Sequence, residues 1–143
     1  MLVGDVMNKN VKTIEPNATI KDAVIKMSKY RIGSLVVVSN NNVIGIITER
    51  DIISDVVAEE ANLNNIKVED IMTRDLIAIT SSTTLEEAAK IMTDNKIKKL
   101  PVIDNGKLVG IITASDLIAY EEKLIEQLAS LLVTSPPPGR IGG

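Results

Sequence analysis

Two short stretches of the sequence carry the residue types best suited to binding chemistry. They read TERD from Thr48 to Asp51 and TASD from Thr113 to Asp116, and each follows an apolar run that ends in Gly-Ile-Ile. A carboxylate at the start of a helix can accept hydrogen bonds from the cis hydroxyls of a ribose, and the threonine can reach a ribose or phosphate oxygen. Either aspartate could instead act only as a helix N-cap, worth about 1 kcal/mol. Both readings stay open at the level of these residues.

The two stretches belong to two copies of one sequence unit. Shifting the chain on itself by 65 positions takes Met7 to Met72 and aligns the two halves without a gap. Self-similarity at a fixed shift is typical of tandem structural repeats. The aligned identical pairs include Asp5/Asp70, Met7/Met72, Ile14/Ile79, Thr19/Thr84, Ala23/Ala88, Met27/Met92, Leu35/Leu100, Gly45/Gly110, Thr48/Thr113 and Asp51/Asp116.

Each copy predicts the same order of elements, β-α-β-β-α. It begins with a short extended piece, from Val11 in the first copy and from Leu76 in the second. A helix follows, with apolar residues at helical spacing behind a capping box that satisfies unpaired backbone N–H groups. The two capping boxes pair Thr19 with Asp22 and Thr84 with Glu87.

Two β-rich runs come next in each copy and are predicted to form a hairpin. The turns contain residues that tolerate a positive φ, Asn40 to Asn42 in the first copy and Asn105-Gly106 in the second. Asp51 and Asp116 are then predicted to open a second helix. The predicted fold class is α/β (α+β), with repeat 1 over residues 1–60 and repeat 2, including a C-terminal helix, over residues 61–133.

The apolar surface explains why two copies are needed. A three-stranded sheet with helices on one side leaves an apolar face that one copy cannot hide, so the second copy would cover it. Residues 59–70 are polar enough for a connector, from which Ile66 and Val68 lead into the second copy. The proline- and glycine-rich tail, residues 134–143, is predicted to be disordered.

The last helix, from Asp116 to about Leu132, carries more apolar surface than its own half requires. This surplus favours a homodimer through helices, and packing wholly inside the pair of copies is the alternative. The stripe consists of Leu117, Ile118, Leu124, Ile125, Leu128, Leu131 and Leu132.

Composition excludes several classes of function. The 143 residues can bury one globular core, and the net charge of -3 argues against a general nucleic-acid surface. Cysteine and histidine are both absent, which removes disulfides, thiol nucleophiles, histidine bases and the usual zinc sites. No catalytic residues or metal site are predicted, so an enzyme is the weakest class. No run is long enough for a membrane helix, and we expect a cytoplasmic protein.

The repeated motif resembles a known family. Gly-Ile-Ile-Thr-x-x-Asp, preceded by LPVID-NGK and by an N-terminal DVM or DIM, is similar to the CBS domain, named after cystathionine β-synthase. Two in tandem resemble a Bateman module, and the resemblance spans roughly Leu2 to Ala119. It implies two copies related by a pseudo-twofold axis, with a cleft between them that binds adenine nucleotides such as AMP, ADP or ATP.

The resemblance also implies particular site residues. In the better site the base slot of the first copy, Ile32 and Gly33, would face Thr113, Ser115 and Asp116. In the second site Ile97 and Lys98 would face Thr48, Arg50 and Asp51.

Two lysines are the phosphate-binding candidates. The family arrangement places Lys98 and Lys99 beside the aspartate of their own copy, so both would join the better site. Lysine is a point charge without the bidentate fork of arginine, which leaves the number of phosphates less sharply specified. A solvated loop is the alternative for this pair. Arg31 and Lys96 are expected to face solvent.

Three classes of function compete. The first is a regulatory sensor that binds an adenine nucleotide, with no other cofactor, and acts on a separate, unidentified effector protein. The second is an assembly module that binds no nucleotide, and the third is an enzyme. S-adenosylmethionine and NAD share adenosine with AMP and ATP, so the sequence does not rank these ligands.

Overall fold

The computed structural model describes residues 1–133, and the predicted disordered tail lies outside the described residues. The first copy contains α1 (Val3–Val6), β1 (Thr13–Ile14), α2 (Ile20–Tyr30), β2 (Ser34–Ser39), β3 (Asn42–Thr48), α3 (Glu49–Ile52) and a π-helical segment (Ile53–Val57). The second copy contains α4 (Val68–Ile71), α5 (Leu85–Asn95), β4 (Lys99–Asp104), β5 (Lys107–Thr113) and α6 (Ala114–Val133). The mixed α/β class predicted from the sequence is confirmed.

The first long helix of each copy, α2 or α5, begins at a threonine cap and ends at a residue with left-handed backbone. Thr19 Oγ1 accepts from the Asp22 N–H at 3.1 Å, and Asp22 returns a bond to the Thr19 N–H at 3.0 Å. In α5 only the first of these bonds is present, from the Glu87 N–H to Thr84 Oγ1 at 3.1 Å. Both helices end on a residue with left-handed backbone, at Arg31 and at Lys96.

The two sheets differ in one strand. In the first copy β1 runs parallel to β2, and β2 pairs with β3 in an antiparallel hairpin. In the second copy β4 and β5 form the same hairpin, but the expected first strand is reduced to one parallel bridge between Ile79 and Val102.

A proline accounts for the missing strand. In the first copy the Val36 N–H donates to the Lys12 carbonyl at 3.3 Å, which ties β1 to β2. The equivalent of Val36 in the second copy is Pro101, which has no N–H to donate. The prediction of a strand from Leu76 was therefore too long.

The entry segments of the two copies are exchanged. Val3 is fully buried in the second copy's core, whereas Val68 and Met72 are buried in the first. Asn8 and Ile111 exchange two backbone hydrogen bonds, both of 2.9 Å. Thr73 and Ile46 form the matching pair, at 2.9 and 3.0 Å. Each half of the molecule is therefore completed by the beginning of the other repeat.

Two glycines make this exchange possible. A Cβ at Gly110 would fall 2.5 Å from Met7 Sδ and 3.0 Å from the Asn8 carbonyl oxygen. A Cβ at Gly45 would fall 2.7 Å from Met72 Sδ. The repeated glycines of the Gly-Ile-Ile motif thus allow the entry segments to approach the central strands closely.

The segment between the copies does more than connect them. Ile66 and Val68, expected to lead into the second copy, pack instead against the first copy's core. The reason is backbone pairing beside the start of α2, where the Val68 N–H donates to the Ala18 carbonyl at 2.8 Å and the Ile20 N–H to the Ile66 carbonyl at 2.9 Å. Ala61 and Leu63 also pack against this core.

The last helix is longer than predicted at its start and remains largely uncovered. It begins at Ala114 rather than Asp116, and the described part has no buried residue. Within residues 1–133, no helix has the length and apolar character needed to cross a membrane.

Candidate functional site

Each Thr-x-x-Asp motif forms a strand-to-helix junction. Thr113 Oγ1 accepts from the Asp116 N–H at 3.1 Å, while Asp116 Oδ2 accepts from the Thr113 N–H at 3.0 Å. The junction between Thr48 and Asp51 has the same two bonds, at 3.2 and 3.0 Å. The threonines are therefore the residues at the cap position, and the expectation that the aspartates open these helices as N-caps was wrong by three residues.

This geometry makes capping and ligand binding compatible. Each aspartate uses Oδ2 for the capping box, and Oδ1 makes no hydrogen bond within the described part of the chain. Asp51 and Asp116 are both half-buried. Because a carboxylate has about four lone-pair sites, Oδ1 of either residue can accept hydrogen bonds from a bound molecule.

The structure brings the lysine pair to the second junction. Lys99 is the cross-strand neighbour of Thr113, and the Ala114 N–H donates to the Lys98 carbonyl at 2.8 Å. Lys98 and Lys99 thus lie beside the motif that ends in Asp116, in the arrangement implied by the resemblance. The fixed backbone holds two ammonium groups at the start of β4.

The first junction has the same backbone arrangement but different side chains. Ser34 is the cross-strand neighbour of Thr48, and the Glu49 N–H donates to the Gly33 carbonyl at 2.9 Å. A Cβ at Gly33 would fall 2.9 Å from Glu49 Oε1, so the carboxylate of Glu49 lies against this glycine. The first junction therefore presents a carboxylate and a hydroxyl where the second presents two ammonium groups.

One side-chain hydrogen bond joins the two junctions. Lys99 Nζ donates to Ser34 Oγ at 3.0 Å across the seam between the copies. Burial lowers the pKa of the half-buried Lys99 ammonium, the Glu49 carboxylate opposes this shift, and the Lys98 charge adds to it. The Lys99 ammonium is therefore poorly solvated, and an anion in the seam would stabilise it.

Sequence reasoning missed Ser34 and Glu49 as members of this cluster. Ser34 is the repeat equivalent of Lys99, and Glu49 directly follows the motif threonine. The alignment of the copies could have identified Ser34, because it pairs Ser34 with Lys99. Two equivalent residues of a pseudo-twofold pair lie opposite each other when both are close to the axis.

The remaining predicted site residues are placed as follows. Ile32 and Ile97 are half-buried and pack against the cores of their own copies. Arg50 and Ser115 are exposed on the first turns of α3 and α6. Within residues 1–133, the side-chain hydrogen bond between the two junctions is that of Lys99 and Ser34, and none joins the two predicted halves of either site directly.

Asp116 also borders an open cavity of about 560 Å³ between α1 and α6. Polar groups in its lining include Asp5, Tyr120 and Lys123. Asp116 is thus accessible to a molecule in solution. Within residues 1–133, no three His, Cys, Asp or Glu side chains lie close enough together to hold a metal ion.

Both copies of the repeat match a known family. The family model for the CBS domain matches the chain twice, over residues 3–58 and 68–123. The chain belongs to the CBS domain family. Proteins of this family carry CBS domains as regulatory ligand-binding parts.

Among its relatives, this CBS domain pair is 38% identical over 125 residues to an uncharacterised protein of Methanopyrus kandleri. That match covers 86% of the chain but 64% of the relative. The chain thus spans less than two thirds of that relative's length. It spans 41% of a relative from Methanocaldococcus jannaschii, to which it is 36% identical.

Solved CBS structures have the same fold. A protein with CBS domains from Burkholderia ambifaria superposes with a TM-score of 0.79 at 31% identity, covering 85% of this chain and 93% of that one. The CBS domain pair of protein MJ0100, solved with 5-methylthioadenosine and S-adenosyl-L-methionine, gives 0.78 at 28% identity, covering 87% and 98%. A hexameric CBS-CP12 protein from cyanobacteria gives 0.77 at 28% identity, covering 99% and 77%.

Proposed function

We propose that this CBS domain pair is a regulatory sensor that binds an adenine nucleotide, AMP, ADP or ATP, at the seam between its copies and signals to a separate effector protein. The observation that carries this proposal is the second junction. There, Oδ1 of Asp116 is free to accept, while Lys98 and Lys99 supply two cations beside it.

In the better site each group has a distinct chemical role. Oδ1 of Asp116 would accept from the cis hydroxyls of the ribose, because Oδ2 is already bound to the Thr113 N–H. Lys98, which is exposed, and Lys99, which is half-buried, would neutralise the phosphate. Thr113 and Ser115 would add hydroxyl donors.

The adenine would be held without aromatic stacking. The base slot beside Ile32 and Gly33 offers an aliphatic side chain and a glycine against which the Glu49 carboxylate lies. The chain has no Phe or Trp and two tyrosines. Neither tyrosine is part of the two junctions, so shape and backbone hydrogen bonds would select the base.

The second site is poorer in positive charge near its aspartate. Oδ1 of Asp51 is as free as that of Asp116, but the neighbouring side chains are Ser34 and Glu49. Its own cation would be Arg50, because Lys98, which the resemblance also implied for this site, lies beside the other junction. We therefore expect this site to bind a phosphate-bearing ligand more weakly than the better site.

A second candidate ligand has support of its own. The MJ0100 domain pair was solved with S-adenosyl-L-methionine and 5-methylthioadenosine. Either molecule would use the ribose acceptors of Asp116, but neither carries a phosphate for Lys98 and Lys99. The lysine pair is why we place adenine nucleotides first.

We also propose that the sensor acts as a homodimer through its helices. Ile53 and Ile118 occupy equivalent positions in the two copies and are 60% and 58% exposed. A hexameric relative covers 99% of the chain, so CBS pairs of this shape do assemble. Nucleotide binding at the seam would alter the relation between the copies, and the effector would respond to that change.

Calorimetric titration of the purified, nucleotide-free chain tests this function. AMP, ADP, ATP, adenosine and S-adenosylmethionine are titrated in turn. We expect saturable binding of at least one nucleotide, weaker binding of adenosine, and a roughly 10- to 150-fold fall in the affinity for both in Asp116→Ala. No heat with any nucleotide would refute the proposal, and heat with S-adenosylmethionine alone would favour the second ligand class. No heat with any of the five would leave a pure assembly module.

A further inference from the structure

The end of α6 is the largest uncovered apolar feature of the described chain. The CBS family match ends at residue 123, but α6 continues to Val133. Six large apolar side chains of this extension are 43–84% exposed. They are Leu124, Ile125, Leu128, Leu131, Leu132 and Val133. So much apolar surface on one short segment is typical of an interface.

The spacing of these residues is that of a helix that packs against other helices. Leu117, Leu124 and Leu131 recur every seven residues, with Leu128 between the last two. A neighbouring stripe repeats at the same interval and consists of Ile118, Ile125 and Leu132. A stripe this wide, rather than a narrow two-position seam, is typical of helices that pack in a bundle.

A groove that could receive such a helix lies on the same surface. It is an open cavity of about 500 Å³ between α5 and α6. Its apolar lining includes Leu85, Ala89, Leu117 and Leu124. The chain therefore presents both an apolar helix end and an apolar groove, and the two share Leu124.

We infer that the α6 extensions of two copies of this chain exchange, each filling the α5–α6 groove of the other. A groove and a helix end on one patch are self-complementary, so a single twofold axis can satisfy both at once. With the two α6 helices antiparallel and the axis near Ile125, Leu132 of one copy lies beside Ile118 of the other. This inference deepens the proposed homodimer and does not depend on nucleotide binding.

The charge of the helix favours a second copy over a lipid surface. Among the charged residues of the second half of α6 and the turn before it, Glu121, Glu122 and Glu126 outnumber Lys123. Helices that lie on anionic membranes carry Lys and Arg on the polar face. The acidic face of α6 would be repelled there, whereas it stays in water in a protein–protein pairing.

The absence of cysteine from the chain allows a direct test of the axis. A disulfide needs Cα atoms within about 4.4–6.8 Å, so only residues close to a twofold axis can pair with themselves. We expect Ile125→Cys to give, on mild oxidation of the full chain, a cross-linked species of twice the chain mass. Ile25→Cys is the matched control, because this residue is 55% exposed, close to the 59% of Ile125, but lies on α2 in the first copy. It should stay monomeric on a denaturing gel.

Sedimentation equilibrium of charged variants provides the second test. Leu131→Glu alters a side chain that is 70% exposed, so the monomer should keep its fold, as a thermal melt would verify. We expect its dimer dissociation constant to rise by roughly 100-fold or more, because the change occurs twice in a twofold interface. Ile25→Glu, at a residue that is 55% exposed on α2, should leave that constant nearly unchanged.

Three outcomes would overturn the inference. A monomeric wild-type chain refutes both this exchange and the proposed dimer. A dimer that survives Leu131→Glu but dissociates in Ile53→Glu keeps the proposed dimer and removes the α6 exchange. Sedimentation of the chain with anionic vesicles, lost in Leu131→Glu, would assign the helix end to a lipid surface instead. None of these outcomes bears on nucleotide binding.

Discussion

Asp116 has a capping role and a proposed binding role, and substituting it in two ways should separate them. In Asp116→Ala the capping bond from the Thr113 N–H disappears. Capping interactions of this kind are worth about 0.5–1.5 kcal/mol, which corresponds to a melting temperature lower by roughly 2–6 °C. The same change removes the acceptor of the ribose hydroxyls. Hydrogen bonds to a charged group contribute about 1.5–3 kcal/mol, so nucleotide affinity should fall roughly 10- to 150-fold.

The conservative variant provides the contrast. In Asp116→Asn the amide oxygen can still accept from the Thr113 N–H, so the melting temperature should stay within about 1 °C of wild type. The amide nitrogen then takes the place of Oδ1 and donates where the ribose needs an acceptor. Affinity should therefore fall nearly as far as in Asp116→Ala. Thermal melts report the capping role, and calorimetric titration with AMP and ATP reports the binding role.

A matched change in the first copy completes the design. Asp51 has the same capping bonds at nearly the same distances, so Asp51→Ala should lower the melting temperature by a similar amount. It should affect only the weaker site and leave the tightest binding event in place. If Asp116→Asn binds nucleotide as well as wild type, the assignment of Oδ1 to the ribose is wrong. If Asp116→Ala melts normally, the capping role is wrong.

Three further predictions concern the Lys99–Ser34 hydrogen bond, the close approach of the first entry segment to β5, and stability at acid pH. Ser34→Ala should free the Lys99 ammonium from its hydrogen bond. In calorimetric titration, phosphate-bearing ligands should then bind roughly 2- to 10-fold more tightly than to wild type, and adenosine should bind with unchanged affinity. A variant that binds the phosphate-bearing ligands no more tightly than wild type would refute competition for this lysine. Gly110→Val should place a Cβ against the α1 segment and cost about 1–3 kcal/mol in urea unfolding, and a wild-type midpoint would contradict the close approach. The Ser81 hydroxyl, and then its N–H, lower the pKa of Asp104 from its ordinary 3.8, so the native state binds fewer protons there. The interaction with Ser81 therefore stabilises the fold above pH 3.8, and this contribution is lost as pH falls through the lowered pKa. Below pH 3.8, the free energy of urea unfolding should depend less on pH in Asp104→Asn than in wild type. An unchanged dependence on pH would exclude this contribution.

At neutral pH the lowered pKa of Lys99 acts against folding whereas that of Asp104 favours it, although both make stability rise with pH. Because burial lowers the pKa of Lys99, the folded state loses its proton more readily than the unfolded chain. The burial of the charged form therefore opposes folding at neutral pH. This opposition weakens as pH rises from the lowered pKa towards the ordinary value of 10.5. An anion bound in the seam would remove it by pairing with the charge.

Several features could be predicted from the sequence because they depend on neighbouring residues. The capping box at Thr19, the turn residues Asn40 and Asn105 with positive φ, and the exposed helix ends at Arg31 and Lys96 follow from local steric and hydrogen-bonding rules. The repeat itself, and the family resemblance that it carries, required only comparison of the chain with itself. The local features in this group depend on residues that are close together in the chain.

Sequence reasoning was less accurate where a contact between distant segments decides the outcome. Pro101 stands in a run that reads as a β-strand, and only its position opposite the Leu76–Ile79 segment shows that the missing N–H removes a strand. The aspartates of both junctions were placed at the cap position, because the threonine and the aspartate are each good caps and a pattern alone does not choose between them.

The sequence by itself determined the repeated order of elements except the first strand of the second copy, the helix boundaries to within a few residues, and the residue types at the candidate site. Short-range propensity and periodicity govern these features. Only the tertiary structure decided that Val3 and Val68 cross into each other's cores and that Lys99 bonds Ser34 across the seam. The physical reason is that burial and desolvation depend on which surfaces meet. Residues 65 positions apart become neighbours only after both copies have folded and closed on each other.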